Sequence, residues 1–321
     1  MANLLRDDFF AKGADVGWLQ QMEATGYTFY DALGNPRDCL EILKEHGINS
    51  IRLRVWVNPN DDPRSGHNSI EEVAIMAERV KKMGFRLMIN FHYSDSWADP
   101  GKQYKPKAWE GHNAEQLEED VYNHTFCSLT LLKNKGIDVD WVQVGNEITN
   151  GMLWPEGHII NFEQLTRFIN SGYRAVKEVF PDCQVIVHLD SGHDSERYTR
   201  FFEQLTSYNG KYDMIGMSYY PWWAKTVFTQ NLHMLESNIN ELVNRYDKDV
   251  MITEIGGLDT EPHTTYRMIR EVIEVLKAVP NNRGRGVFYW EPQGAANWSG
   301  YRLSAWGKDG RPTKALSAFM D

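Results

Sequence analysis

The stretch Trp141-Val142-Gln143-Val144-Gly145-Asn146-Glu147 has the pattern of a buried strand that ends in the pair Asn-Glu. A second apolar stretch, Val250-Met251-Ile252-Thr253-Glu254, also ends in a single carboxylate. Short apolar runs of this length are typical of strands that are covered on both faces. The chain is therefore expected to contain two buried strands that each present a glutamate at the carboxyl end.

Strand-length apolar runs alternate with helix-length amphipathic stretches along the chain. Strands are predicted at residues 10–15, 50–57, 85–91, 141–147, 184–189, 214–219, 250–254 and 286–290. Helices are predicted near residues 36–45, 70–83, 114–135, 162–179, 195–206, 231–246, 264–278 and 313–319. This repeated alternation predicts an α/β fold, a (β/α)8 TIM barrel that forms a single domain over residues 1–321. A doubly wound open sheet is the rival, but no Gly-x-Gly-x-x-Gly follows the first strand.

Polar and ionisable residues follow most of the predicted strands. They are Arg54, His92, Asn146-Glu147, Asp190, Tyr219-Tyr220, Glu254 and Trp290-Glu291. In a (β/α)8 barrel the carboxyl ends of the strands carry the active site. Placing so many polar groups at one rim is costly unless they act together, whereas a purely structural rim would use small or apolar residues. We therefore expect the functional site at this rim.

Glu147 and Glu254 are the candidates for chemistry. One proton donor and one nucleophile, both carboxyl groups, are what cleavage of a glycosidic bond requires. Burial and a neighbouring carboxylate would raise the pKa of Glu147, as a general acid needs. Glu254 would stay ionised as the nucleophile, and Arg54 is the predicted cation beside it. Arg52 is expected to face outward from the same strand and to have a surface role.

Asn146 and His92 are predicted to assist these glutamates. The Asn146 amide is suited to a sugar 2-hydroxyl, although a strand-end Asn can also satisfy backbone groups. His92 is predicted to act as a donor rather than a base, and a structural role is its alternative. The sequence has no His-Glu-x-x-His, no Gly-x-Ser-x-Gly and no Gly-rich phosphate loop. A catalytic metal and a serine hydrolase are therefore disfavoured, and no cofactor is predicted.

Many tryptophans lie in the segments that follow strands. They are Trp56, Trp97, Trp109, Trp154, Trp222, Trp223, Trp298 and Trp306. Aromatic rings can cover the apolar C–H faces of sugars, although any one of them is as readily a packing residue. Together they favour an extended, uncharged cleft at the rim.

Composition limits the partners. The net charge is -10 and no basic run occurs, so nucleic acid and anionic membranes are poor partners. No apolar run reaches the ~20 residues of a membrane span. The first residues, MANLLRDDFFAKG, lack the pattern of a signal peptide, which leaves a cytoplasmic location open.

Cys39, Cys127 and Cys183 form neither a disulfide framework nor a metal pattern, and buried free thiols are expected.

A series of motifs accompanies the strand ends in order along the chain. They are Lys12-Gly13-Ala14-Asp15, Arg52-Leu53-Arg54-Val55-Trp56-Val57-Asn58-Pro59, Phe91-His92-Tyr93-Ser94-Asp95, Trp97-Ala98-Asp99-Pro100-Gly101-Lys102-Gln103, Gly145-Asn146-Glu147-Ile148, Gly151-Met152-Leu153-Trp154-Pro155, Val187-His188-Leu189-Asp190, Ser218-Tyr219-Tyr220-Pro221 and Gly286-Val287-Phe288-Tyr289-Trp290-Glu291-Pro292. As a set, these motifs resemble glycoside hydrolase family 53, the endo-β-1,4-galactanases, within a clan of retaining (β/α)8 hydrolases.

The resemblance implies roles for individual residues. Glu147 corresponds to the acid/base and Glu254 to the nucleophile. The residues implied to surround the reacting sugar are Arg54, His92, Asn146, Tyr219 and Trp290, and those implied to contact substrate are Asp190 and Trp97. The implied substrate is a β-1,4-linked galactan, as in the side chains of pectin, or a galacto-oligosaccharide. Family resemblance also implies a secreted or cell-surface protein, and a monomer is expected.

The chain departs from the family pattern after Glu254. Family members often continue with Thr-Ala-Tyr and a long loop, which in some bacterial members helps to bind calcium. Here Ile255-Gly256-Gly257 follow, and the predicted helix resumes near Thr264. No metal site is predicted for this short segment.

The sequence as a whole predicts a retaining, endo-acting hydrolase that cleaves β-1,4-galactosidic bonds in galactan or arabinogalactan by double displacement. One alternative is another retaining β-glycanase of the same clan, acting on mannan or glucan. The other is a non-catalytic barrel that binds glycan. A binding barrel would have no reason to keep both strand-end glutamates, and both are present.

Overall fold

Eight parallel strands form a closed barrel in the computed structural model, which describes residues 8–60, 62 and 67–320. The strands are β1 (Ala11–Asp15), β2 (Ser50–Val55), β3 (Arg86–Phe91), β4 (Trp141–Val144), β5 (Gln184–Leu189), β6 (Met214–Tyr219), β7 (Asp249–Ile255) and β8 (Gly284–Trp290). Each strand pairs with the next one, and β8 pairs with β1. The predicted (β/α)8 barrel is confirmed, and the open-sheet alternative is wrong.

Helices connect the strands on the outside of the barrel. They are α1 (Leu19–Ala24), α2 (Cys39–Glu45), α3 (Ile70–Lys82), α4 (Ala114–Asn134), α5 (Phe162–Val179), α6 (Ser195–Ser207), α7 (Phe228–Tyr246), α8 (Pro262–Lys277) and α9 (Ala296–Ser299). The segment predicted as a last α-helix is instead a 3-10 helix, Lys314–Phe319. The short helices α1 and α9 were not expected, because six and four residues are too few to show a helical period.

Reciprocal caps fix where two of the long helices begin. At the start of α3, the Ser69 side chain accepts the Glu72 N–H at 3.3 Å, and the Glu72 carboxylate accepts the Ser69 N–H at 3.0 Å. Asn113 and Gln116 make the same exchange at α4, with both distances 3.0 Å. Such caps satisfy amides that have no partner in the first helical turn. They therefore hold the ends of the loops that follow β2 and β3 at the barrel mouth.

The barrel interior has an apolar layer with polar side chains beyond it. The apolar layer is one buried cluster of Ala11, Met88, Trp141, Ile186, Met214, Met251 and Phe288. Side chains alternate along a strand, so residues two positions further on share the same face. At those positions four strands carry fully buried polar residues, namely Asn90, Gln143, His188 and Thr253. The polar residues thus lie between the apolar layer and the mouth.

Arg52 and Arg54 point to the same side of β2. The prediction that Arg52 faces outward is wrong, because residues two positions apart lie on one face of a strand. Both side chains are fully buried, and both donate to the Asp15 carboxylate on the neighbouring strand β1. Both arginines therefore belong to the interior of the barrel.

A β-bulge in β7 sets the direction of Glu254. Met217 of β6 pairs with Ile252, but the next residue, Ser218, pairs with Glu254. Thr253 is therefore an extra residue in β7. A bulge redirects the side chains that follow it. Because Thr253 already faces the interior, strict alternation would turn Glu254 outward, and the bulge returns it to the mouth.

Two simpler predictions have mixed outcomes. Cys39 and Cys183 are buried and free, whereas Cys127 is exposed on α4, so the expectation of a buried thiol is wrong there. Within the described residues, no helix has the length and apolar character needed to cross a membrane.

Candidate active site

A cleft of about 780 Å³ opens at the carboxyl ends of the strands, and both candidate glutamates line it. Other residues in its wall include His92, Trp97, Asn146, Asp190, Tyr220, Trp223 and Trp290. A second cavity of about 730 Å³ lies at the amino ends of the strands, where Trp141, Met214 and Asp249 contribute to its wall. Neither glutamate lines that cavity, and the amino end of a (β/α)8 barrel serves stability rather than chemistry. The cleft is therefore the candidate active site.

Glu147 lies at the turn that follows β4. Its backbone is left-handed, with φ 47°, and Gly145 before it has φ 85°. Ser218 Oγ donates a hydrogen bond of 2.6 Å to Glu147 Oε1. Burial, together with the charges of Glu254 and Asp190, raises the pKa of the Glu147 carboxyl well above its ordinary value. This carboxyl group therefore keeps its proton to a higher pH than an ordinary glutamate does, as a general acid requires.

Glu254 has a different set of neighbours. Arg52 Nη2 donates to its Oε1 at 2.9 Å, and the Tyr220 hydroxyl donates to its Oε2 at 3.1 Å. Burial raises the pKa of Glu254, while Arg52 and Tyr220 oppose that shift. A cation stabilises the ionised form of Glu254, whereas Glu147 has a neutral hydroxyl in that place. A proton held by the pair therefore resides on Glu147.

The cation beside the predicted nucleophile is Arg52, and the prediction of Arg54 for this role is wrong. The Arg52 guanidinium also donates to three other buried side chains, which are Asp15 Oδ2 at 2.8 Å, Gln143 Oε1 at 2.6 Å and Asn146 Oδ1 at 2.9 Å. Charge-assisted bonds of this kind are short and strongly directional. One side chain thus fixes Glu254 relative to the segment that carries Glu147.

Arg54 lies beside another carboxylate. Its Nη1 donates to Glu291 Oε1 and, at 3.4 Å, to Asp15 Oδ1. The guanidinium carbon lies 4.3 Å from the centre of the Trp97 ring. Arg54 does not line the cleft, so the structure places it behind Trp97 rather than against a bound sugar. Its contact with Trp97 supports the wall of the cleft.

Asn146 and His92 both line the cleft and both contact Ala98. Asn146 Oδ1 accepts two buried hydrogen bonds, and its Nδ2 donates to the Ala98 carbonyl at 2.9 Å, which leaves one N–H for a ligand. His92 Nδ1 accepts the Ala98 N–H at 3.1 Å. Burial and the nearby Arg54 lower the pKa of His92 well below its ordinary value. Its Nε2 lies 3.2 Å from Asn90 Nδ2, so both ring nitrogens face buried protein groups, and the role of His92 as a donor to the substrate stays a prediction.

Trp97 and Trp290 form an aromatic wall of the cleft. Their ring centres are 5.8 Å apart at an interplanar angle of 62°. Trp18 packs edge-on against both, at 6.0 Å from Trp97 and 5.1 Å from Trp290. Tyr301 contacts the Trp290 ring at 4.8 Å. Because these rings hold one another in place, the wall is formed before any sugar binds.

Asp190 lines the cleft as an already paired carboxylate. Its Oδ1 accepts from the Thr149 hydroxyl, and its Oδ2 accepts from Arg197 Nη1 and from Ser191 Oγ at 2.9 Å. These bonds hold the side chain in one orientation. Asp190 is thus positioned at the cleft, where its charge contributes to the raised pKa of Glu147.

Tyr219 is turned away from the cleft. Its side chain is fully buried, and its hydroxyl donates to Asn231 Oδ1 on α7 at 2.7 Å. The prediction that Tyr219 surrounds the sugar is therefore wrong, and Tyr220 occupies the cleft instead. Ser218 faces the interior, so a period of two places Tyr220, and not Tyr219, on the same side.

Comparisons with known proteins give the family. The family model described as glycosyl hydrolase family 53 matches residues 11–319. The chain belongs to this family. It is 33% identical over 302 residues to the arabinogalactan endo-β-1,4-galactanase of Humicola insolens, covering 88% of this chain and 89% of that protein.

Two further relatives agree. The chain is 33% identical over 308 residues to the endo-β-1,4-galactanase of Bacillus subtilis (strain 168), covering 88% of this chain and 70% of that protein. The solved GH53 catalytic domain of Ignisphaera aggregans matches the structure with a TM-score of 0.89 at 29% identity, covering 100% of this chain and 98% of that domain. The resemblance found in the sequence is therefore confirmed at the level of family and fold.

Besides Arg52, five residues support the two glutamates of this family 53 chain, and none of them was assigned a role in the site from the sequence. They are Asp15, Gln103, His188, Ser218 and Tyr220. A period of two along β5 and β6 is a usable signal for three of them, because His188 and Ser218 lie on the inward face and Tyr220 continues it. Gln103, whose Nε2 donates to the Asn146 carbonyl at 2.8 Å, lies in a loop that offers no such signal.

Proposed function

We propose that this family 53 chain is an endo-acting β-1,4-galactanase that cleaves galactan with retention of configuration. The observation that carries the proposal is the unequal environment of two glutamates in one cleft. Glu147 has a raised pKa and a hydroxyl partner, while Glu254 has a guanidinium partner. The names of the Humicola and Bacillus relatives support galactan as the substrate.

The first half of the reaction uses Glu147 as an acid and Glu254 as a nucleophile. A carboxylate oxygen of Glu254 attacks the anomeric carbon while Glu147 gives its proton to the glycosidic oxygen. The bond between the anomeric carbon and that oxygen breaks, and the leaving sugar departs as a neutral alcohol. The product of this step is an ester between Glu254 and the remaining sugar.

The second half reverses the role of Glu147. The carboxylate of Glu147 takes a proton from a water molecule whose oxygen attacks the anomeric carbon, and Glu254 leaves as a carboxylate. Formation of the ester has removed the charge of Glu254, which is one of the causes that raise the pKa of Glu147. The pKa of Glu147 is therefore lower in the ester, in which Glu147 acts as a base. It rises again when the Glu254 carboxylate is released, so Glu147 keeps its proton for the next cycle.

The cleft fits a chain of neutral sugars. Trp97 and Trp290 form its preformed aromatic wall, and Trp223 lies at its rim with 59% of its surface exposed. Exposed indole faces suit the apolar faces of pyranose rings. We propose that a galactan polysaccharide or a galacto-oligosaccharide lies across the cleft and is cut within the chain.

We also propose that the chain acts as a monomer. One chain supplies both glutamates, Arg52 and the aromatic wall of the cleft. Light scattering at the concentration used for assays should give the mass of a single chain. A dimer that loses activity on dilution would contradict this part of the proposal.

Digestion of linear β-1,4-linked galactan, mannan and glucan tests the substrate. Galactan should be cut to oligosaccharides of several lengths at early times, with little change in the other two. Proton NMR of the first product should show the β-anomer before mutarotation, as retention requires. An α-anomer at early times would exclude double displacement. Binding of galactan without cleavage would favour the non-catalytic barrel.

A further inference from the structure

Glu147, His188 and Ser218 form a closed ring of three hydrogen bonds. The Glu147 backbone N–H donates to His188 Nδ1 at 3.4 Å, His188 Nε2 lies 2.8 Å from Ser218 Oγ, and Ser218 Oγ donates to Glu147 Oε1 at 2.6 Å. We propose that His188 and Ser218 are positioning residues that determine which oxygen of Glu147 carries the catalytic proton. This inference rests on the proposed function, in which Glu147 is the acid/base.

The direction of the ring follows from its donors. A backbone N–H can only donate, so the His188 Nδ1 that faces it carries no proton. A neutral imidazole then has its proton on Nε2. Burial and the nearby charge of Arg52 keep the His188 imidazole neutral, because they lower the pKa of His188 well below its ordinary value. His188 Nε2 therefore donates to Ser218 Oγ, and the Ser218 proton is left for Glu147 Oε1.

This direction has a consequence for the acid. When Oε1 accepts the Ser218 proton, the proton of the Glu147 carboxyl group resides on Oε2. Oε2 is then the oxygen that protonates the leaving group and later accepts the proton of water. Without the ring, the carboxyl proton could occupy either oxygen, and only one placement would be productive.

The ring is built on rigid elements. His188 lies on β5 and is fully buried, and Ser218 lies on β6 and is 1% exposed. The two strands are paired in parallel next to each other, with His188 opposite Gly216. Ser218 is also the Cα partner of Glu254 on β7. Side chains fixed in this way hold a reacting group more accurately than loop residues do.

Titratable groups from several other elements also lie near Glu147. They are Glu254 on β7, Asp190 directly after β5, Asp99 after β3, Tyr220 directly after β6 and Tyr198 on α6. The three carboxylates favour the protonated form of Glu147, whereas the Ser218 hydrogen bond favours the ionised form. Loss of the Ser218 hydroxyl should therefore raise the pKa of Glu147 further.

Ser218→Ala separates positioning from general structure. We expect kcat/KM on galactan to fall roughly 10- to 100-fold, which is part of the ~10²- to 10⁴-fold that general acid catalysis contributes. On a dinitrophenyl β-galactobioside, whose leaving group needs little protonation, the fall should be less than about threefold. The basic limb of kcat/KM against pH should move to higher pH. Ser218→Thr, which keeps the hydroxyl, should restore much of the rate on galactan.

His188 offers a second route to the same test. His188→Gln keeps an N–H donor toward Ser218, whereas His188→Ala removes it. The alanine variant should follow Ser218→Ala on both substrates, and the glutamine variant should retain more activity on galactan. Ser50→Ala is the matched control, since it removes a buried strand hydroxyl that donates to Asn49 Oδ1 at 2.8 Å, at the amino end of β2 and away from the cleft. Melting curves establish that each variant is folded.

Two outcomes would overturn the inference. One is an equal loss on both substrates with an unmoved basic limb, which indicates a purely structural role. The other is Ser218→Ala behaving like Ser50→Ala. In either case, wild-type cleavage of galactan with retention would leave the proposed function intact. Failure of the wild type to cleave any β-1,4-galactan would instead count against the function itself.

Discussion

Glu147 and Glu254 occupy similar places at the ends of two strands, and their neighbours make them chemically different. Ser218 contacts one and Arg52 contacts the other. Burial disfavours the charge of both carboxyl groups, but a guanidinium restores it at only one of them. The division of roles therefore depends on Arg52 as much as on the glutamates.

Replacing each glutamate by alanine should have different effects. Glu147→Ala should lose most activity on galactan but keep some on an aryl galactoside with a good leaving group, because protonation matters less there. Added azide should restore part of that rate by taking the place of water. Glu254→Ala should lose turnover on both substrates. Initial rates on the two substrates, with and without azide, test the assignment of roles. Identical behaviour of the two variants would refute it.

Arg52→Lys should change the pH dependence as well as the rate. Lysine keeps a charge but cannot form the fork of hydrogen bonds that joins Asp15, Asn146 and Glu254. Arg52 lowers the pKa of Glu254, so weakening this contact should raise that pKa. Since the nucleophile must be ionised, the acid limb of kcat/KM should move to higher pH, with a fall at the optimum of roughly 10-fold or more.

Arg54→Lys is the matched control for this profile. Arg54 contacts Glu291 rather than Glu254, so its replacement should leave the acid limb in place even if the rate changes. An acid limb that moves with Arg54→Lys and not with Arg52→Lys would contradict the assignment of the cation.

At the level of strands and helices, the hydrophobic period predicted the positions of the elements well but not every side-chain direction. Each of the eight strands lies within a few residues of its predicted place. The errors at Arg52 and Tyr219 were avoidable, because alternation from Arg54 and Ser218 gives the correct faces. The bulge at Thr253 was not predictable, since nothing in Val250–Glu254 marks an extra residue. Long-range pairing, rather than local sequence, produces that bulge.

Tyr219 and Tyr220 form a natural matched pair at the end of β6. Tyr220→Phe removes a donor to Glu254 and should lower kcat/KM on both galactan and an aryl galactoside. Tyr219→Phe removes a buried bond to Asn231 and should cost about 0.5–1.5 kcal/mol of stability with little change in rate. Denaturation midpoints and rates on both variants give the comparison. A rate loss confined to Tyr219→Phe would show that the faces were misassigned.

The loop between β6 and α7 should contribute to binding of long substrates. Trp223 lines the cleft, and its ring centre is 4.4 Å from that of Trp222. Trp223→Ala should raise KM for galactan several-fold while leaving kcat/KM on a short aryl galactoside within about twofold, because a stacking platform acts on distant sugars. Tyr208→Ala, at the end of α6, removes a comparably exposed ring that lies outside the cleft and should change neither.

For the whole molecule, the fold was more predictable than its loops. Eight repeated β-α units are the number that a (β/α)8 barrel needs, and the sequence lacks the Gly-x-Gly-x-x-Gly after the first strand that would favour an open doubly wound sheet. The match to the Ignisphaera domain at 29% identity shows how far sequences can diverge within this frame. Loop residues such as Gln103 follow no periodic pattern. The hydrogen bond from Gln103 to the Asn146 carbonyl therefore could not be predicted from the sequence and is seen in the structure.

The segment between β7 and α8, residues 256–261, is held by hydrogen bonds between Asp259 and Arg302. Asp259 accepts from Arg302 Nε at 3.1 Å, and its backbone N–H donates to the Arg302 carbonyl at 2.8 Å. Over residues 8–60, 62 and 67–320, no group of three or more His, Cys, Asp or Glu is placed to hold a metal ion. Calcium takes about six to eight oxygen ligands. The Arg302 side chain occupies the position beside the Asp259 carboxylate that a cation would need.

Stability should therefore be independent of calcium. An ion that binds only the folded chain raises its melting temperature by mass action, so melting curves with a chelator and with millimolar calcium should coincide. Arg302→Ala should lower the melting temperature by at most a few degrees, because a pair with an exposed arginine contributes about 0–1 kcal/mol. That variant frees the Asp259 carboxylate, and it should remain insensitive to calcium because one carboxylate is too few ligands. A lower melting temperature of the wild type in chelator would instead reveal an ion site that stabilises the fold.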